Sequence, residues 1–263
     1  MTDESKWCNP VKQKLEAGQA VLAITITTNS IDIAAHAARM GFDFLWIEME
    51  HSPITLETLR HMVLATRGLP AVPFARVPVN EIWTAKRVLD AGVYGVMFPF
   101  TSTPELARQA AEACRYPPTG RRGSGAGLAM FGWPEVASYH DCADENVVTI
   151  AIIEEARAVD NIDEIAATPG IDVLFIGTSD LSFSLGLRGK QDDPKHREAV
   201  ARVVEAGKKH GKFLGRPAAN AEKIAEYREQ GFQLFQTATE IGFMSQGAKA
   251  LLRSLGEIKI ADI

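Results

Sequence analysis

The sequence predicts an α/β chain folded as a single (β/α)8 TIM barrel, and three observations carry that expectation. Short apolar runs alternate with amphipathic helical patterns eight times. The runs are continuously apolar instead of alternating, as parallel sheets covered on both faces require. Four of them stop at ionisable residues: Trp46-Ile47-Glu48-Met49-Glu50-His51, Val72 to Ala75 before Arg76, Ile150 to Ile153 before Glu154, and Leu174 to Gly177 before Asp180. In such a barrel function gathers at the carboxyl ends of the strands and stability at their amino ends. A chain of 263 residues suits one domain over 1–263.

Taken in order, the strands are expected over 20–27, 42–48, 71–76, 95–99, 148–154, 172–177, 212–216 and 232–236. Helical segments follow near 31–40, 55–67, 80–91, 104–115, 157–167, 195–210, 219–229 and 240–255. Thr55-Leu56-Glu57, Asn80-Glu81 and Ser102-Thr103-Pro104-Glu105 supply capping oxygens or a first-turn proline. Gly41, Gly92, Gly170, Gly211 and Gly231 follow helices, where left-handed caps belong. One stretch breaks the rhythm, Tyr116-Pro117-Pro118-Thr119-Gly120-Arg121-Arg122-Gly123-Ser124-Gly125-Ala126-Gly127. A connection of this length is usually functional. It reads as a lid or interface loop on the βα side, with a plain surface excursion as the alternative, and it lacks the residues of a P-loop.

Composition narrows the function. Hydrophobic residues at 46% and charged residues at 23% are ordinary globular values. A net charge of −5 offers no basic face for a phosphate backbone, so no nucleic-acid partner is expected. No apolar run approaches the roughly 18 residues of a membrane span. The start, Met1-Thr2-Asp3-Glu4-Ser5-Lys6, lacks an apolar signal core, so the expectation is cytoplasmic. Cys8, Cys114 and Cys142 are odd in number and far apart, which suits a reducing compartment better than a disulfide framework or a metal knuckle.

The chemistry lies at the strand ends. Glu154 and Asp180 stand on adjacent staves, where two hard oxygen donors with open positions suit Mg²⁺ or Mn²⁺. They read equally as solvated loop acids or helix caps. His51 sits beside Glu48 and Glu50, whose charges favour its protonated form and strengthen it as a base. Arg76 is a permanent cation at the mouth of the third strand, available to an oxyanion or to a salt bridge with Glu48 or Glu50. Lys86, Arg87 and Asp90 read as a solvated helix face. No strand end presents a lysine, since Lys212 begins its strand, so a Schiff-base mechanism is not expected. The loops after the seventh and eighth strands lack the glycines of a barrel phosphate site, which points to an unphosphorylated substrate.

Along nearly its whole length the chain resembles the class II, metal-dependent pyruvate aldolases of the HpcH/HpaI family, in the phosphoenolpyruvate/pyruvate barrel superfamily. That family includes 2-dehydro-3-deoxyglucarate and 4-hydroxy-2-oxoheptanedioate aldolases. The resemblance is densest in Glu50-His51-Ser52-Pro53, Lys86-Arg87-Val88-Leu89-Asp90, Gly95-Val96-Met97-Phe98-Pro99, Arg115-Tyr116-Pro117-Pro118, Gly120-Arg121-Arg122-Gly123 and Phe175-Ile176-Gly177-Thr178-Ser179-Asp180-Leu181-Ser182. It implies a lyase that cleaves a 4-hydroxy-2-oxo acid to pyruvate and an aldehyde through a pyruvate enolate held on a divalent metal, Mg²⁺, Mn²⁺ or Co²⁺. By the same resemblance Glu154 and Asp180 are the metal ligands, His51 the acid/base group, Arg76 the stabilising cation and Ser179 a pyruvate contact. Asp90 is the acid that raises the basicity of the histidine, reaching it from a neighbouring subunit. The implied assembly is a homohexamer, a trimer of dimers with an exchanged C-terminal helix.

Two positions depart from the family pattern. Asp-Gly-Glu-His is replaced by Glu48-Met49-Glu50-His51, and the substrate-contacting Gln two residues before the first ligand is replaced by Ile152. Arg121 or Arg122 is expected to stand in for the lost amide, unless the preferred substrate differs. Arg216, at the seventh strand end, is expected to face a second substrate carboxylate or to form an ion pair at the rim. Two alternatives remain: another pyruvate-enolate reaction such as oxaloacetate decarboxylation, and a catalytically silent barrel serving as a binding subunit.

Overall fold

The computed structural model describes residues 8–127, 129–133 and 139–254. The start of the chain and residue 255, the last of the final expected helix, lie outside the described residues. Eight parallel strands close a barrel in sequence order: β1 Val21–Ile26, β2 Phe44–Glu48, β3 Val72–Arg76, β4 Gly95–Phe98, β5 Val148–Ile153, β6 Val173–Ile176, β7 Phe213–Pro217 and β8 Leu234–Thr239. The helices are α1 Pro10–Glu16, α2 Ile31–Ala37, α3 Leu56–Ala65, α4 Ile82–Ala91, α5 Pro104–Ala113, α6 Ala129–Gly132, α7 Tyr139–Asn146, α8 Ala156–Asp160, α9 Ile162–Ala167, α10 Thr178–Ser184, α11 Pro194–Lys209, α12 Ala221–Gln230 and α13 Glu240–Ser254. All eight expected strands are present, with ends shifted by up to three residues. The expected helix over 157–167 is divided at Asn161 into α8 and α9.

Local chemistry accounts for most boundaries. The Thr55 and Thr103 hydroxyls accept from the amides of Thr58 and Leu106, and Pro104 opens α5. Gly92 and Gly231 end α4 and α12 at φ 105°, a left-handed conformation that side chains resist. The expectation at Asn80 fails. Its side chain donates to Thr101 Oγ1 and the Leu106 carbonyl instead, tying the third βα turn to the fourth, and Glu81 takes the cap position without a side-chain bond.

The long segment after α5 is not a lid on the βα side. It runs from a helix end to the start of β5, which places it at the amino-terminal, stabilising end of the barrel. There Tyr94, just before β4, stacks on Trp133 at 4.8 Å, and Trp133 meets Tyr139 edge-on. Asn9, ahead of α1, donates its side chain to the carbonyls of Tyr94 and Asn146 and so ties the chain's start to the same floor.

Cover is uneven around the barrel. β2, β4, β5 and β6 are buried throughout, whereas the last four residues of β8 are only half-buried. Neither α12 nor α13 has a buried residue, and α13 leaves Ile241, Phe243, Met244 and Leu251 exposed. No helix among the described residues is long and apolar enough to cross a membrane.

Candidate active site

β2 delivers the first half of the site. Glu48 ends the strand almost fully buried, and every oxygen of its side chain is used. Oε1 accepts from the amides of Glu50 (2.7 Å) and His51 (3.0 Å), which sets the turn carrying the histidine. Oε2 accepts from Arg76 Nε (2.6 Å) and Trp46 Nε1 (3.2 Å). The longer acid in place of Asp therefore reaches back to cap its own turn and across to the neighbouring strand.

β3 pairs in register with β2, setting Arg76 opposite Glu48. Its guanidinium bonds Glu48 through Nε and meets Glu50 at 3.0 Å through Nη1. The two readings of Arg76 are thus compatible: it forms the ion pairs and also lines the cavity at the barrel mouth. Such fixing removes the rotamer freedom a free arginine would lose on meeting an oxyanion.

β5 and β6 supply the second half. Glu154, nearly all buried, accepts the Phe100 amide at 2.7 Å. Phe100 adopts φ 48°, a left-handed conformation uncommon for a bulky residue, and this backbone aims its N–H at the carboxylate. Burial pushes the Glu154 carboxyl up to about 7; the Phe100 bond and Arg76 pull it down, while Glu50 and Asp180 push it further up. The Glu50 carboxyl is raised too, first by burial, with Arg76 and His51 opposing. Gly177 makes the close approach possible, since a Cβ there would lie 2.8 Å from Glu154 Oε2 and 3.3 Å from Ile152 Cγ2.

Glu154, Asp180, Ser179, Arg76 and Ile152 all line one cavity of about 320 Å³ at the carboxyl ends of the strands. His51 does not line it. Its side chain is 63% exposed at the rim, with Nε2 3.7 Å from Glu50. Asp90 is not brought near His51 within the chain: α4 runs back from the mouth, so Asp90 in its last turn lies at the opposite end. It is no fully solvated residue either. Arg122 approaches it at 3.7 Å, and burial raises its pKa.

Arg121 and Arg122 do not replace the lost amide, because neither lines the cavity. Arg122 is buried between the rings of Tyr116 (4.6 Å) and Tyr139 (5.4 Å) and donates to the Tyr139 hydroxyl at 3.0 Å. The amides facing Ile152's cavity are instead Gln191, from the connection after α10, and Gln236, on β8. Gln236 was legible as a strand-end residue; Gln191 carried no signal. Lys212 donates to the Thr168 and Ile171 carbonyls at the amino end, as a lysine at the start of a strand should.

Among the described residues no group of three or more His, Cys, Asp or Glu is arranged to hold a metal. The site nevertheless suits a hard divalent cation. Glu154, Asp180 and Glu50 repel one another electrostatically around the single guanidinium of Arg76. Two carboxylates with remaining positions for water and substrate match the ligand habits of Mg²⁺ and Mn²⁺.

The HpcH/HpaI aldolase/citrate lyase family profile matches residues 24–246. A hydroxypyruvate/pyruvate aldolase of Paraburkholderia phytofirmans is 33% identical, over 95% of this chain and 99% of that protein. A 5-keto-4-deoxy-D-glucarate aldolase of Salmonella arizonae is 35% identical, over 88% of each. The crystal structure of an HpcH/HpaI aldolase/citrate lyase family protein from Burkholderia cenocepacia superposes with a TM-score of 0.87. It is 33% identical and covers 95% of this chain and 100% of that one.

Proposed function

The chain belongs to the HpcH/HpaI aldolase/citrate lyase family, and from that premise we propose that it is a divalent-metal-dependent aldolase cleaving a 4-hydroxy-2-oxo acid to pyruvate and an aldehyde. The observation that carries this reading is one cavity lined by Glu154, Asp180 and Arg76, in which Glu154 is buried and feels the charges of Glu50 and Asp180. Glu154 and Asp180 are the residues that would hold the cation. Bound there, it would supply Lewis acidity for an oxo group.

Arg76, fixed by Glu48 and Glu50, points a permanent charge at the cavity where negative charge develops on the 2-oxo oxygen. His51, exposed beside the cavity and not lining it, would take the proton of the 4-hydroxyl, directly or through a water it polarises, as the bond between C3 and C4 breaks and the aldehyde departs. The bonding pair moves into the three-carbon fragment, which recovers a proton at C3 to become pyruvate. Ser179, at the first turn of α10, borders the same space and serves the pyruvate moiety. Asp90 is assigned to the histidine of a neighbouring protomer. Its place at the far end of its own barrel and the uncovered apolar face of α13 support an assembly in which subunits complete one another.

The test is turnover of a panel of oxo acids with Mg²⁺ or Mn²⁺, pyruvate being read by lactate dehydrogenase. Pyruvate released together with a stoichiometric aldehyde, and lost on chelation, is the expected result. Turnover of oxaloacetate alone, with no aldehyde-dependent synthesis in reverse, would replace the aldolase by a decarboxylase.

A further inference from the structure

The part of the site that follows β6 is held less directly than the rest. Glu48 and Glu154 are each fixed by hydrogen bonds of their own, but among the described residues no hydrogen bond or ion pair holds the Asp180 carboxylate. Its place therefore follows from the backbone in the first turn of α10. That turn lacks the side-chain cap that usually fixes a helix start. The cap position is Gly177, which makes no side-chain bond and has no room for one, because a Cβ there would lie 2.8 Å from Glu154 Oε2. Donors from elsewhere in the chain take over.

Two side chains supply them. Ser182 Oγ donates to the Ser179 carbonyl at 2.6 Å and accepts the Gly189 amide, which ties the connection after α10 to the same turn. The second is His196. Of the six histidines it alone is buried, at 2% exposure. Its Nε2 lies 3.1 Å from the Thr178 carbonyl, and since a carbonyl only accepts, Nε2 carries the hydrogen. A buried imidazole needs some acceptor, and the consequence lies in which one it meets. Thr178 directly precedes Ser179 and Asp180, and all three line the cavity of the candidate site. His196 itself does not line that cavity. It stands in the first turn of α11, whose start is fixed independently by the Asp193 cap and Pro194, and α11 packs along β6 and β7. A long, anchored helix thus reaches across to hold the turn that carries the least-bonded acid.

We propose that His196 is a positioning residue: its Nε2–H holds the Thr178 carbonyl so that Asp180 and Ser179 face the cavity together with Glu154. This rests on the reading of Glu154 and Asp180 as the residues that hold the cation, and deepens it. His196 touches no reacting atom and moves no proton. It acts on the orientation of a ligand, and groups that orient ligands from behind change the affinity of a metal site.

The experiment measures Mn²⁺ binding by calorimetry, and kcat and KM of the loaded enzyme on the best oxo acid of the panel, in three variants. His196→Leu removes the donor with little change of volume. His196→Asn keeps an amide but places it near the position of Nδ1, too short to reach the carbonyl. His196→Gln places its amide near Nε2. The Leu and Asn variants should weaken Mn²⁺ binding on the order of 10-fold, the upper end of what one lost hydrogen bond gives. At saturating Mn²⁺ they should lower kcat more than they raise KM, and His196→Gln should recover most of both losses. The Asn variant serves if His196→Leu does not fold. Unchanged Mn²⁺ affinity and kcat, whatever happens to the thermal midpoint, would reduce His196 to packing and overturn the proposal. So would a loss that His196→Gln shares in full. Amide hydrogen exchange over residues 178–184 of the metal-free protein reads the tether apart from the cation. Faster exchange in the Leu and Asn variants, restored in His196→Gln, supports it even if wild type binds no Mn²⁺, a result that would sink the metal reading alone. Equal exchange in all four proteins defeats it.

Discussion

The two sides of this barrel are built to different standards. On the side of β2 to β6, β2, β4, β5 and β6 are buried to their ends and two carboxylates are held by fixed donors: Glu48 bonds Arg76, Trp46 and two backbone amides, and Glu154 bonds the Phe100 amide. On the side of β7 and β8, the last residues of β8 are half-covered, α12 and α13 bury no residue, and Arg216 Nε has no hydrogen-bond partner among the described residues. Preorganised dipoles belong where charge develops during reaction, because they cost no rearrangement at that moment. The looser side suits groups that come from another molecule, a division that separates chemistry from assembly.

The sharpest way to break it is to remove the charge on the tight side. Glu154→Gln keeps an acceptor for the Phe100 amide but loses the anion. Calorimetry should find no Mg²⁺ or Mn²⁺ binding and the pyruvate assay no turnover, while the thermal midpoint of the metal-free protein is held or raised. A variant that still bound metal would show that the tight side is not the metal side. Arg76→Met comes next, with kcat expected to fall about 10²–10³-fold, as when one oxyanion donor is lost. The variant also leaves Glu48 and Glu50 without their cation, so a companion Arg76→Lys measures how much of the loss is structural.

The loose side is broken by assembly. Met244→Glu and Leu251→Glu place charges on the exposed apolar face of α13. Sedimentation should then show a smaller species than wild type, with activity falling in parallel. Mixing inactive His51→Ala and Asp90→Asn protomers should restore activity if the two groups meet across a subunit boundary. No recovery in mixed oligomers would return Asp90 to a purely structural role beside Arg122.

The same division marks how much could be read from the chain. Strand ends on the tight side are legible because each is a continuous apolar run leading to a charged residue, which makes Glu154, Asp180 and Arg76 candidates, while the roles expected of them come from the family resemblance. The Phe100 amide is invisible beforehand, since a left-handed φ at a phenylalanine comes from the turn it occupies and not from its residue type. Arg122 misleads in the opposite direction. An arginine pair within a glycine-rich stretch reads as a donor available to the substrate, whereas Arg122 is buried against the rings of Tyr116 and Tyr139, away from the cavity. The placement of that stretch is an error of connection, for a helix-to-strand segment belongs to the floor.

A smaller effect should appear in the pH dependence of stability. Glu154 keeps its proton in the folded chain up to about pH 7, against an ordinary 4.5 when unfolded. Between those values the folded state binds more protons, so the stability of chelated protein should fall as pH rises through this window. The loss is at most on the order of 3 kcal/mol. Urea titrations at pH 5 and pH 8 measure it, and excess Mg²⁺ should offset it at the higher pH. In Glu154→Gln the slope should flatten, and an unchanged slope would assign it to another group.

The smallest expected effect distinguishes positioning from chemistry within the tight side itself. Trp46 is buried, packs on Phe175 at 4.8 Å and donates Nε1–H to Glu48 Oε2 at 3.2 Å. Trp46→Phe keeps an aromatic ring there and deletes that donor, while Arg76 still occupies the same oxygen. The cost should be about 1–2 kcal/mol of stability, a hydrogen bond to a charged group together with some lost packing. The kcat should stay within a few-fold, because Arg76 and the turn carrying His51 are held by the remaining bonds of Glu48. A drop in kcat as large as that of Arg76→Met would mean that the indole donor sets the arginine's position, and that Glu48 alone does not.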